Sequence, residues 1–394
     1  MAEQRGFLKS ALVIATIGAF AVPLAVPGAA PGGTAASASA DAHSNYAPQV
    51  TVVATGLNNP RGLALDGDGN LWVAEAGTGG TECLSTPGEP HNPTCFGTTG
   101  SLSEIKDGKV NRVFTGIASD AAPDGTQADG PNGLAIRDNY IYTVVARSNF
   151  SVPQGLSPSL TVELMAQTGR LLRGARADRS DDSSLVTRAD PGDYDFAWSD
   201  LPAKKATNPQ FPDANPYGLL VSRHSTFLVD AGTNTLDSID HAGHVTILAE
   251  FPNPPASDAV PTCVAQGSDG ALYIGELTGA GNGAGAADVF RYTTQQGLRV
   301  WQTGFSAITG CGFGSDGSFY VVEFDRTGFP PHGAPAGDVV RVAKDGARAV
   351  LGAGQLFAPN GFAADDHGKI YVSNWSIMPG SSTGGPTGEV VRIG

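Results

Sequence analysis

Short apolar strands and glycine turns alternate in a pattern that recurs six times along the chain. The first copy contains the triplet 60–62 (Pro-Arg-Gly), an apolar run, the turn 66–69 and a second apolar run that ends at Glu75. Because apolar and polar residues alternate in steps of two, each run predicts a half-buried β-strand. The second run of each copy has one equivalent large residue, and these are Trp72, Tyr142, Leu228, Tyr273, Tyr320 and Tyr371.

A repeat of roughly 45–50 residues built from such strands is typical of one blade of a β-propeller. In each blade, strand a follows the triplet and strand b carries the equivalent large residue. Apolar-Arg-apolar runs such as 289–292 predict strand c, and runs such as 245–249 predict strand d. The sequence therefore predicts an all-β fold with six blades.

The two ends of the repeat region complement each other. Residues 50–57 match a strand d that no a, b or c precedes, and residues 390–393 match a strand c that no d follows. Pairing them completes one blade and removes the open edge of a linear array. We predict a six-bladed β-propeller closed by an N-terminal outer strand, with a partly helical insertion that includes 160–173 and 193–198.

Residues 1–40 have the organisation of a secretory signal peptide. Basic residues precede an apolar run from Ala11 to about Val26, and small residues end in an A-x-A pattern at Ala40. Pro23 interrupts the run, which is shorter than the roughly 20 residues of a membrane span. We expect cleavage near Ala40, a secreted or extracytoplasmic location and a mature propeller over 41–394, with a membrane anchor as the alternative.

Four cysteines are present, and an even number favours disulfides in an oxidising compartment. Cys83 and Cys95 fall in one predicted loop, whereas Cys263 and Cys311 begin strand a of neighbouring blades. We therefore predict the pairs 83–95 and 263–311, although three pairings are formally possible. A zinc site is the alternative, but no C-x-x-C spacing supports it.

The formal net charge is −14, which argues against nucleic acid and anionic membrane surfaces as partners. The chain has no G-x-S-x-G, no Walker loop, no dinucleotide fingerprint and no H-E-x-x-H. A catalytic set assembled across blades would leave no such motif. The sequence thus leaves enzymatic activity undecided.

One face of the predicted propeller carries the long connections. The a–b and c–d turns are short and rich in Asp and Gly, as hairpins require. The long segments all fall in the b–c and d–a connections, the longest at about 76–100 and 189–215. Elaboration of one face predicts that the binding site lies there. We expect its partner to be a small molecule or an envelope protein.

Two sets of polar residues are predicted to converge on this face. The middle residues of the six triplets lie near the channel mouth and are candidate ligand-binding residues, namely Arg61, Asn132, Tyr217, Thr262, Thr309 and Asn360. The residues that end strand b are candidate metal ligands, namely Glu75, Glu276, Glu323 and Asn374. Carboxylate and amide oxygens suit Ca²⁺. Alternatively, the same side chains hydrogen-bond the loop backbone or line a wet channel.

The chain resembles the ScyD/ScyE family of exported bacterial propellers, which are related to NHL-repeat proteins. The resemblance covers nearly all of residues 50–394 and rests on segments such as 56–64 (GLNNPRGLA), 215–220 (NPYGLL) and 273–279 (YIGELTG). It implies a propeller fold and an exported protein. No reaction and no site residues follow from it.

A looser resemblance runs to the calcium-dependent gluconolactonase and senescence-marker propellers. Segments 131–135 (PNGLA) and 359–363 (PNGFA) are similar to their metal-binding asparagine segments, and Glu75 stands where their metal glutamate would be. The position expected for a general base in the second blade is Val145, which departs from that pattern.

Three functions follow as hypotheses. The first is an exported binding platform that uses its elaborated face and catalyses no reaction. The alternative is a Ca²⁺-dependent hydrolase of lactones or esters, in which the metal polarises a carbonyl group. The third is a cell-envelope scaffold that uses the loop between Cys83 and Cys95 as its docking element. We expect a monomer in each case.

Overall fold

The computed structural model of this chain describes residues 49–86, 89–176, 184–208, 210–252, 258–331, 333–381 and 385–394. The predicted signal peptide lies outside the described residues. No helix in these ranges combines the length and the apolar character that crossing a membrane requires.

Six antiparallel sheets form the blades of a six-bladed β-propeller, which confirms the predicted fold. The first three blades contain these strands in the order a to d: Pro60–Leu65, Leu71–Glu75, Glu89–Lys106 and Lys109–Ala121; Pro131–Arg137, Tyr140–Val145, Leu171–Ala175 and Val186–Ala189; Pro216–Val221, Thr226–Asp230, Thr235–Ile239 and Val245–Glu250. Blades 4 and 5 contain Pro261–Gln266, Leu272–Glu276, Ala287–Thr293 and Gly297–Phe305, then Ile308–Phe313, Phe319–Glu323, Ala336–Val342 and Arg348–Phe357.

Blade 6 joins the two ends of the described chain. Its strands a, b and c are Phe362–Ala364, Ile370–Asn374 and Gly388–Ile393, and its strand d is the N-terminal Val50–Leu57. The outer pair is antiparallel, with Val50 opposite Ile393 and Leu57 opposite Gly388. The ring therefore closes through the outer strand that the sequence predicts.

In blades 4 and 5 a polar contact joins the a–b turn to strand c, and it accounts for two features of the repeat. In blade 4 the Tyr273 hydroxyl donates to Asp269 in the a–b turn, at 3.1 Å. Arg291 of strand c forms an ion pair with the same carboxylate, at 2.7 Å. Arg341 and Asp316 repeat the ion pair in blade 5. The Asp-Gly turn, the aromatic residue and the strand c arginine thus act together.

The inner strands approach one another closely around the propeller axis, and this explains the third residue of the triplet. A Cβ atom on Gly310 would lie 2.2 Å from the carbonyl oxygen of Asn360 in the next blade. A Cβ atom on Gly361 would lie 2.2 Å from the carbonyl oxygen of Arg61. Both distances are far below van der Waals contact, so the chain can pass here only without a side chain.

Blade 4 has Cys263 where the other triplets have glycine. Its sulfur is bonded to Cys311 of blade 5, so a covalent link joins two inner strands. The second disulfide joins Cys83 and Cys95, and both predicted pairs are confirmed. Cys83 and Cys95 are cross-strand neighbours in a hairpin.

Two predictions about the connections need correction. The segment at about 76–100 is largely a β-hairpin, in which Glu82–Thr86 pairs with the first part of Glu89–Lys106. A short two-stranded sheet, Asn282–Gly283 with Gly328–Phe329, also joins the b–c connections of blades 4 and 5.

The predicted helical insertion is present, but its first part ends early. The helices are Pro158–Met165, Pro191–Ser199 and Pro202–Lys205, with a 3-10 turn at Asn149–Ser151. Residues 171–173, which we expected to be helical, belong to strand c of blade 2 because Thr143 and Tyr142 of strand b pair with them.

Replacing Gly310 by alanine is expected to destabilise the protein by about 1–3 kcal/mol or more, because the added methyl group meets backbone of the next blade. The control is Gly67→Ala in an exposed turn, where a Cβ meets nothing within 4 Å. Its effect should stay within about 0.5 kcal/mol. Urea unfolding followed by circular dichroism measures both, and equal effects would contradict the close-packing explanation.

Removing the disulfide between blades should cost more stability than removing the hairpin disulfide. The first closes a separation of 48 residues and the second only 12. Loop-closure entropy then gives losses of about 4 and about 3 kcal/mol. We expect the lower thermal midpoint for Cys263→Ala/Cys311→Ala than for Cys83→Ala/Cys95→Ala. The reverse order would show that the ring does not depend on the link between blades 4 and 5.

Candidate functional site

A pocket on the axis collects five of the six predicted ligand-binding residues. Arg61, Tyr217, Thr262, Thr309 and Asn360 line it, each from strand a of its own blade or from the residues just before that strand. The other lining residues are Asn215, Ala231, Val260, Leu277, Phe324 and Phe329. The space free for a water-sized molecule in it is about 20 Å³, and all the space between the lining residues, open solvent included, is about 390 Å³.

The apolar wall of the pocket comes from the elaborated face. Leu277 and Phe324 directly follow strand b of blades 4 and 5, and Val260 directly precedes strand a of blade 4. Phe329 belongs to the small sheet between the b–c connections. These positions all lie on the side of the b–c and d–a connections, so the pocket opens on the face for which the sequence predicts binding.

Two threonines in the pocket also hold neighbouring blades together. The Thr262 hydroxyl donates to the carbonyl oxygen of Ile308 at 2.6 Å, and the Thr309 hydroxyl donates to that of Pro359 at 2.9 Å. In both cases the acceptor immediately precedes the middle triplet residue of the next blade. Each hydroxyl oxygen retains acceptor capacity, because a hydroxyl has two lone pairs.

A hydrogen bond crosses the axis between opposite blades. The Asn360 side-chain amide of blade 6 donates to the Tyr217 hydroxyl of blade 3, at 2.7 Å. The tyrosine oxygen is the acceptor here, so its own proton remains available as a donor. This contact fixes a polar floor beneath the apolar wall.

Arg61 contributes a buried positive charge. The residue is 7% exposed, and its Nη2 donates to the carbonyl oxygen of Ala128 at 2.7 Å. Its Nε is buried without a hydrogen-bond partner. Among the residues that the structure describes, no carboxylate forms an ion pair with this guanidinium.

Asn132 is the predicted ligand-binding residue that the structure keeps off the pocket wall. Its side-chain amide donates to the carbonyl oxygen of Pro216 in blade 3, at 3.1 Å. This is the same contact between blades that Thr262 and Thr309 make. We therefore assign Asn132 a structural position.

The four candidate metal ligands do not form one cluster. In three blades the residue that ends strand b accepts the backbone N–H of a residue shortly before strand a. The donors are Asn58 to Glu75 at 2.6 Å, Ser306 to Glu323 at 2.8 Å and Phe357 to Asn374 at 2.7 Å. Glu276 instead accepts the N–H of Asp288, at 2.9 Å.

Glu75 has the fullest set of partners of the four. It is completely buried, accepts hydrogen bonds from Ser101 and Ser103, and forms an ion pair with Arg112 at 2.7 Å. Within the described ranges, no group of three or more His, Cys, Asp or Glu side chains is arranged to hold a metal ion. The metal set predicted from the strand ends therefore stays a prediction, and the contact that the structure shows for each of its members is a hydrogen bond from a backbone N–H group.

Two of these carboxyl groups have a raised pKa. Burial, with a smaller contribution from the Asp288 carboxyl, raises the pKa of Glu276 to about 8, while the hydrogen bond from the Asp288 backbone N–H acts to lower it. Burial also raises the pKa of Glu323 to about 8, with Asp338 as the repelling neighbour. Two carboxylates close together in a buried site repel each other strongly. The raised pKa values therefore favour a protonated carboxyl group in each pair.

A second group of buried acids was not found by sequence reasoning. Asp195 of the helical insertion meets Asp230 and Asp237 of blade 3, and all three are fully buried. Burial raises the pKa of Asp195 and of Asp237 well above the ordinary range, and the neighbouring carboxyls raise them further. The one sequence signal was a polar residue in the middle of strand c, at Asp237. The insertion thus packs against the acids of blade 3, and the raised pKa values favour neutral carboxyl groups at this contact.

A cleft between blades 1 and 2 contains charges that satisfy each other. Arg147 donates to Asp120 at 3.0 and 2.7 Å and to Asp129 at 2.9 Å. Phe96, Val152 and Leu164 supply apolar surface beside it. Because its guanidinium already has two carboxylate partners, this cleft offers a ligand less than the axial pocket does.

The fold places the chain among six-bladed β-propellers. No family model matches the chain, and no curated protein matches it. Among solved structures it is similar to a protein of unknown function from Bacteroides thetaiotaomicron, with a TM-score of 0.52, 9% identity and coverage of 88% of this chain and 76% of that one. The resemblance to the ScyD/ScyE family therefore stays an interpretation of the sequence.

Two further solved structures with lower scores have named activities or ligands. Virginiamycin B lyase from Staphylococcus aureus has a TM-score of 0.43, 16% identity and coverage of 84% and 82% of the two chains. The calcium-binding protein regucalcin from Agrobacterium tumefaciens has a TM-score of 0.40, 15% identity and coverage of 62% and 67%. A fold by itself does not choose between an enzyme and a binding protein.

The raised pKa of Glu276 predicts a loss of stability as the pH rises. The folded protein keeps a proton that the unfolded chain loses above its ordinary pKa of 4.5, so the stabilisation is complete below that pH. It is lost progressively as the pH rises towards about 8. Glu276→Gln remains neutral and should flatten the decline, by at most about 1.4 kcal/mol for each pH unit.

Urea unfolding at pH 5, 6.5 and 8 measures this slope. The matched control is Glu163→Gln, which changes an exposed glutamate on the first helix and should leave the slope as in the wild type. An unchanged slope in Glu276→Gln would mean that Glu276 is ionised in the folded protein.

Proposed function

We propose that this protein is a binding propeller that holds a small organic ligand in the axial pocket, without catalysing a reaction on it. The observation that carries the proposal is the composition of the pocket. Polar groups from five blades form its floor, and the aromatic and aliphatic side chains of the elaborated face form its wall. A mainly apolar pocket with a few fixed polar groups is the usual form of a small-molecule site.

The contacts of the floor favour binding over chemistry. The hydroxyls of Thr262 and Thr309 are engaged with backbone of the next blade, and Asn360 with Tyr217. No carboxylate, histidine or cysteine belongs to the described lining of the pocket. Of the side chains that usually act as a general acid or base, the described lining holds Tyr217 alone, and its oxygen accepts the hydrogen bond of Asn360. A rigid floor of this kind suits orientation of a ligand.

The calcium-dependent hydrolase has less support. Its expected glutamate, Glu75, is paired with Arg112 and accepts the backbone N–H of Asn58. Its expected asparagine, Asn132, donates to Pro216 and lies off the pocket wall. The Asn132 side-chain oxygen is buried and has no hydrogen-bond partner among the described residues, but neither Asn132 nor Glu75 lines the axial pocket. The binding propeller is therefore the better supported of the two functions.

The exported location remains part of the proposal. Both disulfides are compatible with an extracytoplasmic protein, because such bonds persist in oxidising compartments. The ligand would then come from outside the cytoplasm.

Filling the pocket should abolish ligand binding. Ala231 lines the pocket and is 7% exposed, so Ala231→Leu places three extra carbon atoms in the wall. Ligand-detected NMR with benzoate, hexanoate and their primary amides measures occupancy. We expect at least one of these probes to bind the wild type, and its signal to be reduced about tenfold or more in the variant.

The control is Ala347→Leu, which adds the same atoms at an exposed turn on the opposite face. It should bind as the wild type does. Unfolding curves of both variants establish that each is folded. Equal binding to Ala231→Leu and the wild type, or no binding of any probe, would overturn the proposed site.

A further inference from the structure

Within the described part of the chain, no carboxylate forms an ion pair with Arg61. Burying an ion costs several kcal/mol unless a partner compensates it. Arg61 is 7% exposed, yet its guanidinium has a single described hydrogen bond, from Nη2 to the Ala128 carbonyl oxygen. The Nε of Arg61 is also buried and has no hydrogen-bond acceptor among the described residues. An unsatisfied buried donor of this kind needs an explanation.

Other arginines of this chain show the usual solution. Arg147, in the cleft between blades 1 and 2, is held by the carboxylates of Asp120 and Asp129. Arg176, also mostly buried, pairs with Asp66 at 2.6 Å. Arg61 differs from them because it faces a pocket whose described lining contains no acid. An anionic ligand in the pocket would supply the negative charge that the lining does not.

The surrounding groups favour a negatively charged ligand as well. The Tyr217 oxygen already accepts a hydrogen bond from Asn360, so its proton is free to be donated. Arg61 and Tyr217 lie in the same pocket and offer donors to one ligand group. A guanidinium fork matches the two oxygens of a carboxylate.

We infer that the axial pocket is selective for small organic carboxylates, whose carboxylate binds Arg61 and Tyr217 and whose apolar body packs against Leu277, Phe324 and Phe329. This inference rests on the proposed function and names its ligand class. One guanidinium balances one negative charge, and we therefore expect a monocarboxylate rather than a phosphate ester. The ligand enters from the elaborated face, where the apolar wall stands.

Matched pairs of probes test the charge requirement. Benzoate and benzamide have nearly the same shape, as do hexanoate and hexanamide, so each pair differs chiefly in charge. We expect each acid to bind the wild type about tenfold or more tightly than its amide, by titration calorimetry or ligand-detected NMR at pH 7. Phenyl phosphate is the third arm and should bind more weakly than benzoate.

Arg61→Gln should remove the preference for the acid and leave amide binding within about threefold. Arg61→Lys keeps the charge without the fork and should retain part of the preference, so the two variants separate charge from geometry. Unfolding curves of both variants show whether each is folded. If Arg61→Gln does not fold, Arg61→Lys still tests the inference.

The outcomes separate this inference from the proposed function. If acid and amide bind equally and Ala231→Leu abolishes both, the pocket is a ligand site but Arg61 does not select carboxylates. Tighter binding of phenyl phosphate than of benzoate would overturn the assignment to monocarboxylates. Failure of every probe to bind overturns the proposed function together with this inference.

Discussion

The close approach of the inner strands around the axis is the constraint on which the rest of the molecule depends. Backbone of one blade lies against backbone of the next, with only glycine between them at most positions. The contact leaves the axis too narrow for a wide channel. It also brings the middle residues of the triplets together, although they are far apart in sequence. The pocket is a direct result of this packing.

The same geometry divides the triplet residues into two roles. Asn132, Thr262 and Thr309 donate to a carbonyl oxygen of the following blade, which holds the ring in register. Arg61 and Tyr217 do not make that contact and turn their polar groups to other partners. The hydroxyl protons of Thr262 and Thr309 are used between blades, whereas the Arg61 Nε and the Tyr217 hydroxyl proton are not. Arg61 and Tyr217 are therefore the positions with a donor left for a ligand.

Much of the fold could be predicted from sequence because its determinants are local. The Asp-Gly turn, the aromatic residue of strand b and the arginine of strand c lie within one repeat, and Asp269, Tyr273 and Arg291 contact each other as that repeat suggests. The closing strand and the disulfides also follow from the phase of the repeat. The helical insertion could be placed only approximately, because it has no second copy for comparison.

The position of the site could be predicted from sequence. Which candidate residues face the pocket, and which contact the loop backbone instead, could not be predicted. Glu75 and Glu323 occupy positions typical of metal ligands, yet each accepts a backbone N–H from a residue 17 positions earlier. The meeting of Asp195 with Asp230 and Asp237 depends on how an irregular insertion folds back onto blade 3. Such contacts depend on tertiary packing, so neither the composition nor the spacing of residues along the chain predicts them.

The pairing of Val50–Leu57 with Gly388–Ile393 has a consequence for how the chain reaches its folded state. It joins the segments that are farthest apart in the described sequence, and such non-local pairing slows folding. Until it forms, strand c of blade 6 is an unpaired edge that can recruit a strand from another molecule. Refolding at high protein concentration should therefore put the sixth blade, more than any other, at risk of intermolecular strand exchange.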